Sequence, residues 1–168
     1  MKILISFLFL FFQITQAQAN TRKSGGPLGL GVIFGNPTAL TGKYNAASNL
    51  AYDFGLAFSM SDYFLAYGDY LVLKPNGFGN KSKFISQLIP YYGIGGIIAI
   101  TNKERTRDDL VLSKRSGTLG LGLRIPFGVE WRPGDPEFGF FFEIVPGISL
   151  IPETAAMFQG GLGLRYYF

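Results

Sequence analysis

Seven ionisable residues are each flanked on both sides by apolar or aromatic residues: Lys43, Asp53, Asp69, Arg124, Glu130, Glu143 and Arg165. Carboxylates in such a setting can act as general acid and general base, and Glu130 with Glu143 is the candidate pair for that work. Three basic against four acidic groups is close to balance, however, and buried charges must be paired. The same residues therefore also predict an internal network of ion pairs.

Two residue types that carry much of protein chemistry do not occur in the chain. There is no Cys, which excludes disulfides, thiolate metal sites and a lipid anchor on Cys. There is no His, which removes the usual zinc ligand and the commonest general base. We therefore predict no catalytic residue, no cofactor and no metal site. A formal charge of +4 without long runs of Lys or Arg does not indicate binding to nucleic acid.

The segments that hold these charged residues have a period of two. From Leu50 to Met60 and from Leu119 to Trp131, bulky apolar residues alternate with small or charged ones. Alternate side chains of a strand point to opposite faces, so the bulky residues share one face and the charged residues the other. The second segment exceeds an ordinary strand of about 5 to 6 residues and suits a tilted membrane-spanning strand.

Eight segments with this alternation predict an all-β fold, an eight-stranded antiparallel up-and-down transmembrane β-barrel. Bacterial barrels have an even number of strands, and closure leaves no free sheet edge in lipid. A soluble sandwich of short strands is the alternative. The predicted strands cover residues 27–35, 39–46, 50–60, 63–72, 89–100, 118–131, 138–151 and 157–168.

The first residues have the pattern of a cleavable export signal. Lys2 precedes an apolar run over residues 3–12, and Ala17-Gln18-Ala19 forms a cleavage site of small residues. We predict a signal peptide over residues 1–19 and one barrel domain over residues 20–168. An uncleaved anchor helix is the alternative, but the run is about half the roughly 20 residues that a spanning helix needs.

The last strand resembles the closing strand of outer-membrane barrels, in which an alternating apolar segment ends in Phe. Leu164, Tyr166 and Phe168 carry that pattern here, and the resemblance implies that the barrel-assembly machinery reads them. With residues 91–96, 120–130 and 160–168, the chain resembles a family of small, uncharacterised eight-stranded outer-membrane β-barrels of OmpA-, OmpX- and OmpW-like architecture. That resemblance implies a multi-pass protein of the Gram-negative outer membrane.

The inside of such a barrel is just wide enough to be filled by side chains, so we expect the charged network to plug the lumen. A narrow conduit for protons or small ions, lined by the same charges, is the alternative. Enzymes of the outer membrane that share this scaffold are similar in using a His, so an envelope-lipid enzyme is the weakest interpretation.

The outer face carries two further patterns. Aromatic residues near the strand ends predict interfacial girdles: Tyr52, Tyr63, Tyr70, Tyr92, Trp131 and Tyr166. Small outward residues predict close contact between barrels or with lipid: Gly42, Ala66, Gly68, Gly96 and Gly160. Glycines that merely permit strand curvature are the alternative explanation for this second set.

These patterns together predict a non-enzymatic outer-membrane protein with a structural or lipid-interacting role. Outer-membrane lipids are its expected partners, and a cyclic homo-oligomer that encloses lipid is its candidate assembly. A narrow OmpW-like channel for small or apolar solutes is the alternative function. Two long connectors, at residues 74–87 and 101–117, have no predicted role; if both termini are periplasmic, the first lies inside the cell and the second outside.

Overall fold

The fold is all-β. The computed structural model describes residues 26–58, 63–101, 119–133 and 137–168, so the predicted signal peptide lies outside the described residues. Within these ranges the strands are β1 (Leu28–Asn36), β2 (Ala39–Ala47), β3 (Leu50–Phe58), β4 (Tyr63–Leu73), β5 (Leu88–Thr101), β6 (Leu119–Arg124), β7 (Phe127–Trp131), β8 (Phe138–Ile151) and β9 (Ala155–Tyr167). One short helix, α1 (Lys83–Ser86), precedes β5. The described residues contain no helix that is long and apolar enough to cross a membrane.

The strands form one closed antiparallel sheet. Each strand from β1 to β4 pairs with the next, β4 pairs with β5, and β9 closes the sheet by pairing with both β8 and β1. β6 and β7 both lie between β5 and β8, so they are two halves of one barrel strand. The prediction of an eight-stranded antiparallel barrel is confirmed, and the sandwich alternative is wrong because the sheet has no open edge.

The predicted strand over residues 118–131 is interrupted at its centre. Pro126 has no N–H to donate to a neighbour, so regular pairing stops at this position. The contacts across the break are kept by main-chain bonds from Gly93 N to Pro126 O and from Ile125 N to Pro146 O, both 2.9 Å long. The interruption therefore leaves the barrel wall continuous.

The barrel has two ends with different connections. At the terminal end, β1 begins and β9 stops, and residues 48–49, 74–87 and 132–137 join neighbouring strands there. At the turn end, the joining residues are 37–38, 59–62, 102–118 and 152–154. The two long connectors thus leave opposite ends of the barrel.

Alternation sorts the side chains into an inner and an outer wall. Inward residues form one apolar cluster near the turn end, around Ile97, Phe141 and Met157, and another near the terminal end, around Leu71 and Tyr91. The charged residues lie between and beside these clusters. The outward positions are occupied by exposed apolar and aromatic side chains.

Candidate functional site

The seven charged residues that the sequence singles out are all buried inside the barrel. Glu130 is the centre of one group near the terminal end. The Lys43 ammonium donates to Glu130 Oε2, and Tyr167 donates to Glu130 Oε1. Arg132 Nε lies 3.0 Å from the same Oε1. Burial alone would lower the pKa of Arg132, but Glu130 and Tyr167 beside it raise that pKa above its ordinary value.

The other charges form two groups further inside. Arg165 Nη2 donates to Asp53 Oδ2 and to the Thr41 hydroxyl, each over 2.7 Å. In the third group, Arg124 Nε lies 3.1 Å from Asp69 Oδ1 and its Nη2 lies 3.2 Å from Glu143 Oε1. Four cations therefore face four carboxylates within the described interior.

Each of these four cations also lies over an aromatic ring. The cation-to-centroid distances are 3.8 to 4.8 Å, in the pairs Lys43 over Tyr91, Arg124 over Tyr67, Arg132 over Tyr167 and Arg165 over Phe141. A cation above a ring face is attracted by the electron-rich π-system, most strongly where water is excluded. The rings therefore stabilise the charges that the carboxylates leave partly uncompensated.

Each of these four rings covers a glycine on the neighbouring strand. The residues are direct cross-strand partners: Gly29 and Tyr167, Gly55 and Tyr67, Gly128 and Tyr91, Gly163 and Phe141. A Cβ placed on any of the four glycines would overlap the ring. The absence of a side chain lets the ring lie flat against the wall and leaves its other face to the cation. We call each such set a glycine–ring–cation stack.

The stacks and ion pairs bring the charged side chains of the described interior together in connected groups. Tyr91 links two groups, because its ring lies under Lys43 while its hydroxyl donates to Glu143 Oε2 over 3.1 Å. Glu130 and Glu143, the candidate acid–base pair, hold different cations and belong to different groups. Among the described residues, no cluster of three or more Asp or Glu has the arrangement of a metal site.

Sequence reasoning did not single out several members of this network. Arg132 lies one residue beyond the predicted strand over residues 118–131, although it is on the same face as Glu130. Gln159, which accepts from Arg124 Nη1 over 3.3 Å, and Thr41 carry no charge that would have marked them. The four rings were missed as well. The sequence feature that would have identified these rings is an aromatic residue at an inward position of a strand whose neighbour has several inward glycines.

The outer wall has its Tyr and Trp side chains at the terminal end. Tyr52 and Tyr70 meet edge to face with ring centroids 5.8 Å apart, and Phe138, Tyr166 and Phe168 continue the same ring-to-ring contacts. Trp131 lies 5.6 Å from Phe140. Of the predicted girdle residues, only Tyr63 lies near the turn end, and its side chain is outside the described part of the structure. Leu164, Tyr166 and Phe168 all point outward.

Two grooves in the described part of the outer wall contain small residues that the sequence singles out. The first, of about 410 Å³, runs over β4, β5 and β6 and contains three of the predicted small residues, Ala66, Gly68 and Gly96. Nothing lies within 4 Å of a Cβ placed on Gly68, and one placed on Gly96 would meet only Gly122 O at 3.8 Å. The groove is therefore open space and is not filled by a neighbouring side chain.

The second groove, of about 440 Å³, contains Gly160 and is bordered by Phe34, Phe142, Phe158 and Leu162. It lies on β8, β9 and β1, three strands around the barrel from the first groove. Gly42 joins neither groove, because the ring of Phe54 covers it. Gly42 therefore lies in a part of the outer wall that the chain's own side chains already cover.

Comparison with protein-family models, with curated proteins and with solved structures finds no match to this chain.

Proposed function

We propose that this chain is a non-enzymatic integral β-barrel protein of the Gram-negative outer membrane, with a structural and lipid-interacting role. One observation carries the proposal: no outward strand position among the described residues bears a charged side chain. Soluble monomers rarely expose continuous apolar patches of more than a few hundred Å². A barrel whose entire girth is apolar matches the hydrocarbon of a bilayer.

The backbone meets the same requirement. Irregular or unpaired main chain is not tolerated in lipid, and the closed sheet pairs its strands all round. The export pattern over residues 1–19 and the aromatic closing segment with Leu164, Tyr166 and Phe168 support passage to the outer membrane and recognition by the barrel-assembly machinery. The export pattern is independent of the apolar wall.

The pairing of charges inside the barrel favours a structural role over conduction. Each described carboxylate inside the barrel pairs with a cation, and each cation lies on a ring. We expect purified protein in a planar bilayer to show no reproducible single-channel step. Regular conductance steps that persist after further purification would contradict this and favour the narrow channel.

Membrane placement is tested by expressing the full chain, with its leader, in a Gram-negative host. We expect the protein in the outer-membrane fraction after alkaline extraction, migrating differently on gels before and after boiling. Ile98→Arg, on the outward face, should reduce the folded fraction because a charged side chain that faces lipid costs up to about 2–4 kcal/mol, depending on its depth in the bilayer. Ile98→Val is the matched control. A chain that stays monomeric and soluble without detergent would overturn the proposal.

We also propose a cyclic homo-oligomer that encloses lipid, because the outer wall has two different grooves. Small residues let backbones approach closely in membranes, where hydrophobicity gives no drive for association. When one groove of a barrel receives the wall beside the other groove of the next copy, the contact is head to tail and can close a ring. The part of each barrel wall between its two contacts would then face lipid held in the centre of the ring.

The absence of native Cys makes this contact directly testable. With Gly96→Cys and Leu162→Cys in one chain, one in each groove, oxidation in native membranes should give a ladder of oligomers that ends at the ring size. A control chain with Leu40→Cys and Tyr52→Cys, which lie outside both grooves and are not cross-strand partners, should stay monomeric. Monomer alone from the groove pair would contradict the oligomer and leave the membrane barrel standing.

A further inference from the structure

The connector over residues 74–87 is basic and aromatic, and the barrel interior does not use it. It contains three lysines, Lys74, Lys81 and Lys83, and two phenylalanines, Phe78 and Phe84, but no Asp or Glu. All three lysines are exposed, and the exposed fractions of Phe78 and Phe84 are 51% and 56%. We call this segment the basic connector. Its composition joins positive charge to apolar surface on one short stretch of chain.

The basic connector has a defined conformation. Gly77 N donates to Lys74 O over 2.9 Å, and Gly79 N donates to Asn76 O over 2.8 Å. The Ser82 hydroxyl accepts from Ile85 N over 3.3 Å and caps α1. The segment therefore presents its lysines from a folded turn and a helical turn.

The basic connector is attached to the outer wall at the girdle. The Phe84 ring lies 5.7 Å from the Trp131 ring, and the Trp131 indole N–H donates to Gln87 Oε1 over 3.2 Å. Lys74 Nζ lies 5.9 Å from the centroid of the Tyr92 ring. Trp and Tyr side chains prefer the level of the lipid headgroups. These contacts therefore hold the lysines at that level.

We propose that the basic connector binds anionic phospholipid headgroups of the leaflet at the terminal end, an inference that rests on the membrane placement proposed above. The lysine ammonium groups would meet the phosphates, and Phe78 and Phe84 would enter the boundary between headgroups and acyl chains. Charge complementarity favours an anionic lipid as the ligand, because the segment contains three lysines and no Asp or Glu. The girdle contacts place those cations beside a bilayer surface.

The chain carries its own probe, since Trp131 is its only tryptophan and contacts the basic connector. The folded protein is reconstituted into vesicles of phosphatidylcholine and phosphatidylglycerol in which one lipid or the other has brominated acyl chains. Bromine quenches tryptophan fluorescence at short range. We expect phosphatidylglycerol to quench Trp131 at least about three-fold more than its share of the mixture, at low salt.

Two charge variants test the cause. Lys74→Gln, Lys81→Gln and Lys83→Gln together should reduce the preference to the composition of the mixture. The matched control removes three cations from the other long connector, by Lys103→Gln, Arg105→Gln and Lys114→Gln, and should keep the preference. Equal quenching by both lipids in the unmodified protein would overturn this inference alone. Quenching by neither lipid would also contradict the membrane placement.

Discussion

Glycines on the two faces of this sheet have different neighbours. Inside the barrel, Gly29, Gly55, Gly128 and Gly163 each lie beneath the aromatic ring of their cross-strand partner. Outside, a side chain placed on Gly68 or Gly96 would enter open space. The inner wall is thus completed by the chain itself, whereas the outer wall leaves gaps for material outside the chain to fill.

Phe54 shows that an outward glycine can also be covered. Phe54 pairs with Gly42 on one side and with Gly68 on the other, both facing outward. Its ring lies on Gly42 and leaves Gly68 open. The first groove therefore exists because one ring packs against one of its two glycine neighbours.

The largest expected effect comes from the inner wall. Arg124→Met removes the cation that pairs with both Asp69 and Glu143. We expect the free energy of unfolding in lipid vesicles, measured by urea titration, to fall by about 3–5 kcal/mol because buried carboxylates lose their partner. Adding Asp69→Asn and Glu143→Gln to the same chain should recover most of the loss. No recovery would show that the arginine acts through packing on Tyr67 alone.

A glycine–ring–cation stack should be sensitive to a single methyl group. Gly128→Ala places a Cβ where the Tyr91 ring lies, which displaces a ring that carries Lys43 and bonds Glu143. We expect a loss of about 1–3 kcal/mol in the same urea titration, as for an overpacked core. Gly68→Ala is the matched outward control. Equal losses for the two variants would remove the distinction between the two walls.

The aromatic side chains of the outer wall at the terminal end should contribute less to stability than the inner stacks. Tyr70→Leu keeps an apolar side chain on the outer wall but removes the edge-to-face contact with Tyr52. We expect a loss of about 0.5–1.5 kcal/mol, the range for aromatic pairs beyond their buried area. Tyr52→Leu should give a similar loss, and the double variant less than the sum. Strict additivity would mean that the two rings act separately.

Filling the first groove should have the smallest effect on stability. Gly68→Leu with Gly96→Leu adds side chains where the wall is open, so the free energy of unfolding of the monomer should change by no more than about 0.5 kcal/mol. Gly68→Leu alone, added to the chain with the two Cys substitutions, should abolish the oligomer ladder. A large loss of monomer stability would show instead that the groove is closed by the barrel's own packing.

The strands could be predicted because period two is a local property. Each predicted strand overlaps an observed one, and only the division at Ile125 and Pro126 was missed. That division depends on which main-chain groups of β5 and β8 lie opposite Ile125 and Pro126. The pattern of a single strand does not contain this information. The same parity marked the seven charged residues as inward.

The partners within the site could not be predicted. Lys43 is opposite Asp53 on the neighbouring strand, yet its ammonium binds Glu130 across the lumen. Such a choice depends on the tilt and stagger of the closed barrel, which place residues distant in sequence at one height. The stacks likewise need both an inward ring and a glycine directly opposite, so the pairing must be known before either residue is informative.

The four stacks also bear on how the last strand finds its place. Moving β4 by two residues along β3 would bring Asp53 or Ala57 under the Tyr67 ring. The pairing of β3 with β4 therefore has one register that keeps a glycine under this ring. A two-residue slip of β9 that keeps a glycine, Gly31, opposite Tyr167 would bring Arg165 opposite Phe141. The opposite slip would keep a glycine, Gly161, opposite Phe141 but bring Pro27 opposite Tyr167. The two rings therefore share only one alignment of β9, and it is the alignment in which Arg165 reaches Asp53 and Tyr167 reaches Glu130.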